Sequence, residues 1–206
     1  MHISDGVLSA PVIAAGWAIT IIFLLVTFRL KMKESDMVEE IPKFSVMTAA
    51  FFVASLIHLP MGPTSVHPML NGLVGIVLGP MAYVAMFVGL ILQAFLFQHG
   101  GVTTIGINAA LVGIPAIIVF YLFKRGYDRG ISEKLLGLVC GGLAIGLSAL
   151  LLVIVLISTG QEFLGLAQVA AVAHLPLILI EGILTGTIVA YIAKVKPELL
   201  PVQMKK

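Results

Sequence analysis

Apolar stretches long enough to cross a lipid bilayer recur along nearly the whole 206-residue chain, and this feature constrains the fold more than any other. The hydrophobic fraction is 60% and the charged fraction 11%, whereas soluble domains are about half apolar and about a quarter charged. The single cysteine, Cys140, excludes an internal disulfide scaffold. The sequence excludes a water-soluble enzyme and a disordered chain. It predicts an all-α integral membrane protein, with residues 1–206 forming one transmembrane domain.

The distribution of basic residues predicts the topology. All 12 lysines and arginines lie in three clusters, at residues 29–43, 124–134 and 194–206. Such clusters face the cytoplasm, which requires an odd number of crossings between His67 and Lys124. A break at Gly79-Pro80 allows three crossings there. We therefore favour about seven transmembrane helices, with the N-terminus outside and the C-terminus cytoplasmic. A single long crossing followed by a buried re-entrant segment would give the same sidedness with fewer spans. The approximate spans are 10–30, 43–59, 69–79, 81–97, 105–123, 135–157 and 175–193.

This topology places most of the histidines on one side of the membrane. The outward segments contain no Lys or Arg, and four of the five histidines lie in or next to them: His2, His58, His67 and His99. A surface rich in histidine and free of cationic side chains suits a positively charged ligand. His174, near the outer end of the last span, is interpreted as a buried interface histidine instead.

Several catalytic signatures are missing from the sequence. There is no G-x-x-x-x-G-K-[ST] phosphate loop, no H-E-x-x-H zinc motif and no G-x-S-x-G nucleophile motif. Nor is there a basic, aromatic-rich surface of the kind that binds nucleic acid. We expect no enzymatic activity, no nucleic-acid partner and no cofactor other than a transported ion.

The N-terminal dipeptide Met1-His2 is a chelating group. Its α-amine, the His2 amide nitrogen and the His2 Nδ1 close one five-membered and one six-membered ring around an ion. They fill three corners of a square, a geometry that favours Ni(II) or Cu(II) over tetrahedral Zn(II). The start of the chain lacks the basic residues of a signal sequence, so we expect the terminus to be retained. Residues 1–9 are therefore predicted to form a metal-binding segment.

One more imidazole would complete a planar four-nitrogen site. We favour His67, because the prolines on either side of it make its loop stiff; His99 and His58 are the alternatives. Side chains expected to support the ligands by hydrogen bonding are Asp5, Ser65, His99, Thr103 and Asn108. Capping of a helix is an equally good account of Asp5 and Thr103. Nickel is preferred because a planar ion gains most from four nitrogen donors, although copper would bind such a site tightly too.

Two further features of the spans carry hypotheses. Glu181 is an ionisable residue inside the last span, where such groups are costly and often functional. Pairing with Gln93 or Asn71 is an equally good account. The small-residue pairs Gly137/Gly141 and Gly182/Gly186 predict close helix packing.

Three segments together give the sequence a resemblance to a known family. They are the opening Met1-His2-Ile3-Ser4-Asp5-Gly6, the proline-flanked loop around His67, and residues 99–108 with the sequence HGGVTTIGIN. The chain resembles the CbiM/NikM family, the substrate-capture subunits of nickel and cobalt energy-coupling factor (ECF) transporters, over essentially its whole length.

The resemblance implies a seven-helix protein in a prokaryotic cell membrane, with Met1, His2 and His67 as metal ligands. It also implies partners: a transmembrane coupling subunit, ATP-binding cassette ATPase subunits and a small accessory membrane protein. The implied substrate is Ni(II), with Co(II) as the alternative.

Two other functional classes remain open from the sequence. In an ion-coupled secondary metal transporter, Glu181 would be the coupling group. In a purely structural membrane subunit, the Met1-His2 start would have no role.

Overall fold

In the computed structural model, residues 2–31, 37–61 and 64–200 are described. Seven α-helices and one short hairpin make up the described chain. In order, they are α1 (Ala10–Lys31), α2 (Met37–Ala54), β1 (Leu59–Met61), β2 (Thr64–Val66), α3 (Asn71–Leu78), α4 (Ala82–Phe97), α5 (Ile105–Asp128), α6 (Glu133–Thr159) and α7 (Leu164–Val195). The all-α prediction is confirmed except for the antiparallel hairpin, which sequence analysis assigned partly to a span and partly to a loop.

Five helical stretches are long and apolar enough to cross a membrane, counted over the described residues. The stretch from Asn71 to Phe97 counts as one of them, and α2 is not included. Two of the differences between the helix bounds and the approximate predicted spans bear on the outer segments. Helix α2 ends at Ala54 instead of residue 59, because the chain becomes extended in β1. Helix α7 begins at Leu164 instead of residue 175, so the polar residues Gln168 and His174 are helical.

The chain reverses direction between α3 and α4. Asn71 donates to the Val112 carbonyl and Gly79 packs on Phe120, so α3 runs in the same direction as α5. Tyr83 packs on Gly113, so α4 starts near the middle of α5 and returns. Gly79 has a φ of 58°, a left-handed conformation that glycine tolerates. The predicted break at Gly79-Pro80 is therefore a sharp turn between antiparallel helices.

Helix α3 is the centre of the bundle. All eight of its residues are buried, and it contacts α2, α4, α5, α6 and α7. Eight residues of α-helix extend about 12 Å, whereas a bilayer core is about 30 Å thick. The predicted span at 69–79 therefore contains a helix that is too short to cross the bilayer by itself and is enclosed by others.

Helices α6 and α7 pack as a close pair. A Cβ on Gly137 would lie 2.9 Å from the Gly186 Cα, and one on Gly182 would lie 2.8 Å from the Leu138 carbonyl oxygen. The two predicted small-residue pairs therefore face each other inside the protein. Large apolar residues on the other side of α7, including Leu179 and Ile183, are more than half exposed, as expected of a helix facing lipid.

Candidate metal centre

The N-terminal segment folds back onto the start of α5. Asn108 holds the Ile3 backbone through two hydrogen bonds: its Oδ1 accepts from the Ile3 N–H at 3.0 Å, and its Nδ2 donates to the Ile3 carbonyl at 3.1 Å. The Thr104 hydroxyl donates to the same carbonyl at 2.7 Å. The Ile3 side chain is fully buried. These contacts fix the backbone next to His2, and Asn108 therefore supports the backbone rather than an imidazole.

Asp5 fixes the same segment from its other end. Its carboxylate accepts the backbone N–H groups of Val102 and Thr103, each at 3.0 Å, and the Thr103 hydroxyl at 2.5 Å. Residue 101 must be glycine here, because a Cβ would collide with the Asp5 side chain. A carboxylate on these N–H groups satisfies donors that the helix itself cannot pair. Asp5 therefore holds the turn that precedes α5, which is closer to the capping account than to the support of an imidazole.

His67 comes directly after the hairpin and is anchored by α7. Glu181 accepts the backbone N–H of Met69 at 2.7 Å and that of Leu70 at 3.1 Å. These donors stand at the start of α3, where Leu70 has a φ of 53° and makes no side-chain cap. A carboxylate from a distant helix thus caps α3 and holds the loop that carries His67. Neither Gln93 nor Asn71, the predicted partners of Glu181, pairs with it.

The two anchored segments bring His2 and His67 together in the interior. His2 Nδ1 lies 2.8 Å from His67 Nε2, and the rings stack with centroids 4.7 Å apart. Both residues are almost fully buried. Imidazole nitrogens bind metal ions at about 2.0 Å, so two of them at a right angle around one ion lie about 2.8 Å apart. The observed separation is that of neighbouring ligands in a planar site.

Each ring makes its hydrogen bond to Gln93 or Pro68 through the nitrogen that is remote from the other ring. His2 Nε2–H donates to the Gln93 Oε1 at 2.6 Å, and His67 Nδ1–H donates to the Pro68 carbonyl at 2.7 Å. A neutral imidazole has one N–H. His2 Nδ1 and His67 Nε2 therefore present lone pairs toward each other, an arrangement that a cation stabilises. Hydrogen bonds to the remote ring nitrogens also orient metal-binding histidines.

Burial keeps both imidazoles neutral. It lowers the pKa of His2 and of His67 well below the ordinary histidine value. The neutral ring is the form that binds metal ions, so the pair is poised to receive a cation.

The remaining predicted site residues have different positions. Met1 lies outside the described residues, and so does the Ser65 side chain. The His99 ring centroid is 6.3 Å from that of His2, so His99 flanks the buried pair. His174 is buried in α7, where Nδ1–H donates to the Ala170 carbonyl. In the described part of the chain, no three His, Cys, Asp or Glu side chains converge as a metal cluster.

The roles of two residues at the site were not predicted from the sequence. Gln93 was considered only as a partner for Glu181, yet it orients His2. Glu181 was recognised as a costly buried group, but its contacts to Met69 and Leu70 could not be foreseen. Their common signal is a polar side chain in an apolar helix, which requires a partner inside the protein.

Comparison with known proteins identifies the family of the chain. The family profile of the CbiM cobalt uptake substrate-specific transmembrane region matches residues 2–199. The chain belongs to the CbiM family. It is therefore a membrane component of a metal-uptake system, and the resemblance found in the sequence is confirmed.

Individual relatives match over most of their length. A metal transport protein of Haemophilus influenzae is 32% identical, with 97% of each chain covered. A fused nickel transport protein, NikMN, of Archaeoglobus fulgidus is 31% identical over 97% of this chain and 68% of its own length. A cobalt transport protein, CbiM, of Sorangium cellulosum is 29% identical over 97% and 94%.

The fold matches that of a solved protein. The crystal structure of a truncated transition metal transporter superimposes with a TM-score of 0.84, covering 94% of this chain and 99% of that one. At 23% identity, this likeness supports the fold alone.

Proposed function

We propose that this chain is the substrate-capture subunit of an ATP-driven ECF-type importer, and that it binds Ni(II) in a planar four-nitrogen site. The ligands are the Met1 amine, the His2 amide nitrogen, His2 Nδ1 and His67 Nε2. One observation carries the proposal: His2 Nδ1 and His67 Nε2 lie 2.8 Å apart while their remote nitrogens are already bonded. In the planar chelate, His67 Nε2 would occupy the position next to His2 Nδ1. Their 2.8 Å separation is the distance expected of neighbouring ligands in such a plane.

The proposed orientation places the site toward the outside, with seven crossings in total. Helix α3 is short, but it is buried by its neighbours, and so are His67 and Met69 in the loop before it. Non-helical backbone is tolerated at membrane depth when protein encloses it. Together, the loop and α3 form one crossing, and the three basic clusters then all face the cytoplasm.

Nickel is proposed over cobalt on geometric grounds. Planar nitrogen coordination is characteristic of Ni(II) and Cu(II), and copper's higher intrinsic affinity means that affinity alone does not select the substrate. A cobalt-specific member of the same class would use the same ligands. Comparing the two ions in competition on one protein sample distinguishes these alternatives.

The proposed partners are those that the family resemblance implies, and the lack of a phosphate loop in the sequence is consistent with ATP hydrolysis on separate subunits. We propose that a transmembrane coupling subunit and ATP-binding cassette ATPases move this subunit in a prokaryotic cell membrane, with a small accessory membrane protein. This chain captures and releases the ion and performs no covalent chemistry. Glu181 is engaged with two backbone N–H groups, so no observation favours a secondary transporter that uses it for proton coupling.

The test is a variant with one proline inserted between Met1 and His2. The insertion keeps every side chain but displaces the His2 imidazole, and proline has no backbone N–H that could be replaced by the metal. An inserted glycine would not serve, because its amide nitrogen would complete another planar chelate. The purified wild type should bind one tight nickel ion by calorimetry, with the visible absorption of a planar complex, and the variant should lose both. Ser4→Ala is the control, because it alters the same segment and leaves the chelate intact. Equal tight, planar binding by wild type and insertion variant would overturn the proposal.

A further inference from the structure

Beside the buried centre lies a second pair of imidazoles, formed by His58 and His99. His58 follows the end of α2, and His99 follows the end of α4. Their Nε2 atoms are 3.2 Å apart, with ring centroids 4.0 Å apart and planes at 81°. Two segments that are distant in sequence thus bring the Nε2 atoms of their histidines close together.

The spacing of the two nitrogens suits a metal ion. With metal–nitrogen distances of about 2.0–2.1 Å, ligand pairs at right to tetrahedral angles are about 2.9–3.4 Å apart. The 3.2 Å separation lies within this interval, and it is at the long end of the range of about 2.7–3.2 Å for hydrogen bonds.

The hydrogen bonds of the pair also leave Nε2 available. His58 Nδ1–H donates to the Leu56 carbonyl at 3.3 Å, so its Nε2 carries the lone pair. His99 Nδ1 is buried and has no hydrogen-bond partner among the described residues. No competing contact thus ties the His99 ring to a different orientation.

The rings of the two pairs lie in succession from the surface to the interior. His58 is exposed and His99 is partly buried, whereas His2 and His67 are 3% and 2% exposed. Successive ring centroids are separated by 4.0 Å, 6.3 Å and 4.7 Å in the order His58, His99, His2, His67. An ion that passes these rings in turn meets an imidazole at every step.

We propose that His58 and His99 form a second, labile site for a divalent transition-metal ion, which receives the ion from solvent and passes it to the His2–His67 centre. The direction of transfer rests on the proposed function, whereas the existence of the site does not. Imidazole ligands select such ions over Mg²⁺ and Ca²⁺, which prefer oxygen. Two protein ligands and solvent bind more weakly than a four-nitrogen chelate, and a site on an entry path must release its ion.

The experiment compares full-length wild type with His58→Ala and Leu56→Ala, all with a native N-terminus and no polyhistidine tag. Leu56→Ala changes an exposed side chain in the same turn while retaining both imidazoles. Titration with Ni(II) should show one tight and one weaker ion per chain in wild type and in Leu56→Ala, and only the tight ion in His58→Ala. In stopped-flow measurements, the planar absorption of the inner site should appear several-fold more slowly in His58→Ala.

The variant with proline inserted after Met1 separates this inference from the proposed function. If the inner site is destroyed, the weaker ion should remain and should disappear when His58→Ala is added. If all these proteins bind the same number of ions at the same rate, the outer imidazoles form only a hydrogen bond and the inference is wrong. Failure of wild type to bind a tight ion would overturn the proposed function, while the weaker ion would still report on the outer pair.

Discussion

The segments that carry His2 and His67 are both fixed by a carboxylate on backbone N–H groups, but in opposite ways. The N-terminal segment supplies its own carboxylate, Asp5, which is exposed and bonds the start of α5. The His67 segment is held by Glu181, a fully buried residue of α7 that lies 112 positions away from Met69. One segment is therefore fastened at the rim, and the other is fastened from the interior.

This difference indicates which helices control each half of the centre. His2 depends on Gln93 in α4 and, through Ile3, on Asn108 in α5, whereas His67 depends on α7 through Glu181. Any displacement of α7 relative to α4 and α5 must separate the two imidazoles. The exposed contact is weakened by solvent and the buried one is not, so substitutions in the two segments should differ in size.

The largest effect should come from His67→Ala, which removes one imidazole and leaves the rest of the centre in place. We expect nickel affinity to fall by about 100-fold or more, since the loss of a ligand exceeds the roughly 10- to 100-fold effect of losing a supporting hydrogen bond. Calorimetry measures the affinity, and the visible absorption should depart from that of a planar four-nitrogen complex. Unchanged absorption would mean that another residue is the fourth ligand.

Substitution of Glu181 should have the next largest effect. Glu181→Ala leaves two N–H groups at the start of α3 without an acceptor, and hydrogen bonds to charged groups contribute about 1.5–3 kcal/mol each. We expect nickel affinity to fall by about 10- to 100-fold, with the absorption of the residual complex unchanged. Glu181→Gln retains one acceptor oxygen and should recover part of the loss.

The same two variants test the role of Glu181 against that of a coupling acid. If Glu181 only positions the loop that carries His67, Glu181→Gln should retain part of both nickel binding and nickel transport. A proton-coupling residue would show nearly normal binding in Glu181→Gln but no transport. That combination would contradict the anchoring role and revive the secondary-transporter alternative.

Lower pH should destabilise the metal-free protein through the buried pair. Because burial lowers the pKa of His2 and His67 in the folded state, the unfolded chain takes up protons below about pH 6.5 that the folded chain does not. Stability is thus fully present above that pH and falls below it, by about 1 kcal/mol per histidine between pH 6.5 and 5.5. Thermal unfolding in detergent measures this slope, which His67→Ala should reduce by about half.

The contrast between the segments also shows what the sequence could predict. Hydropathy and the positions of the basic residues predicted a helical membrane fold, and the Met1-His2 start drew attention to a chelate. Asp5, Thr103 and Asn108 were selected because polar groups close to a candidate ligand are natural supports. Their exact partners depend on how residues 2–6 pack on α5, which no local pattern encodes.

Glu181 and the length of α3 show where sequence reasoning failed. The contact of Glu181 with Met69 and Leu70 joins parts of the chain that meet only through tertiary packing. Hydropathy detects apolar residues between 69 and 79 but not that the first of them are non-helical. The burial of α3 and its capping by Glu181 depend on the same tertiary packing. Neither could therefore be predicted without the other.

The smallest effect should come from Asp5→Asn in the N-terminal segment. Asparagine keeps one acceptor oxygen for the N–H groups of Val102 and Thr103, and the contact is exposed, so the loss should be below about 1 kcal/mol. Nickel affinity should fall only a few-fold, with the dissociation rate rising as the segment opens more often. Ser4→Ala, one position away, should leave both quantities unchanged. A loss in Asp5→Asn as large as that in Glu181→Ala would show that rim and interior anchors contribute equally, and the proposed difference between the segments would be wrong.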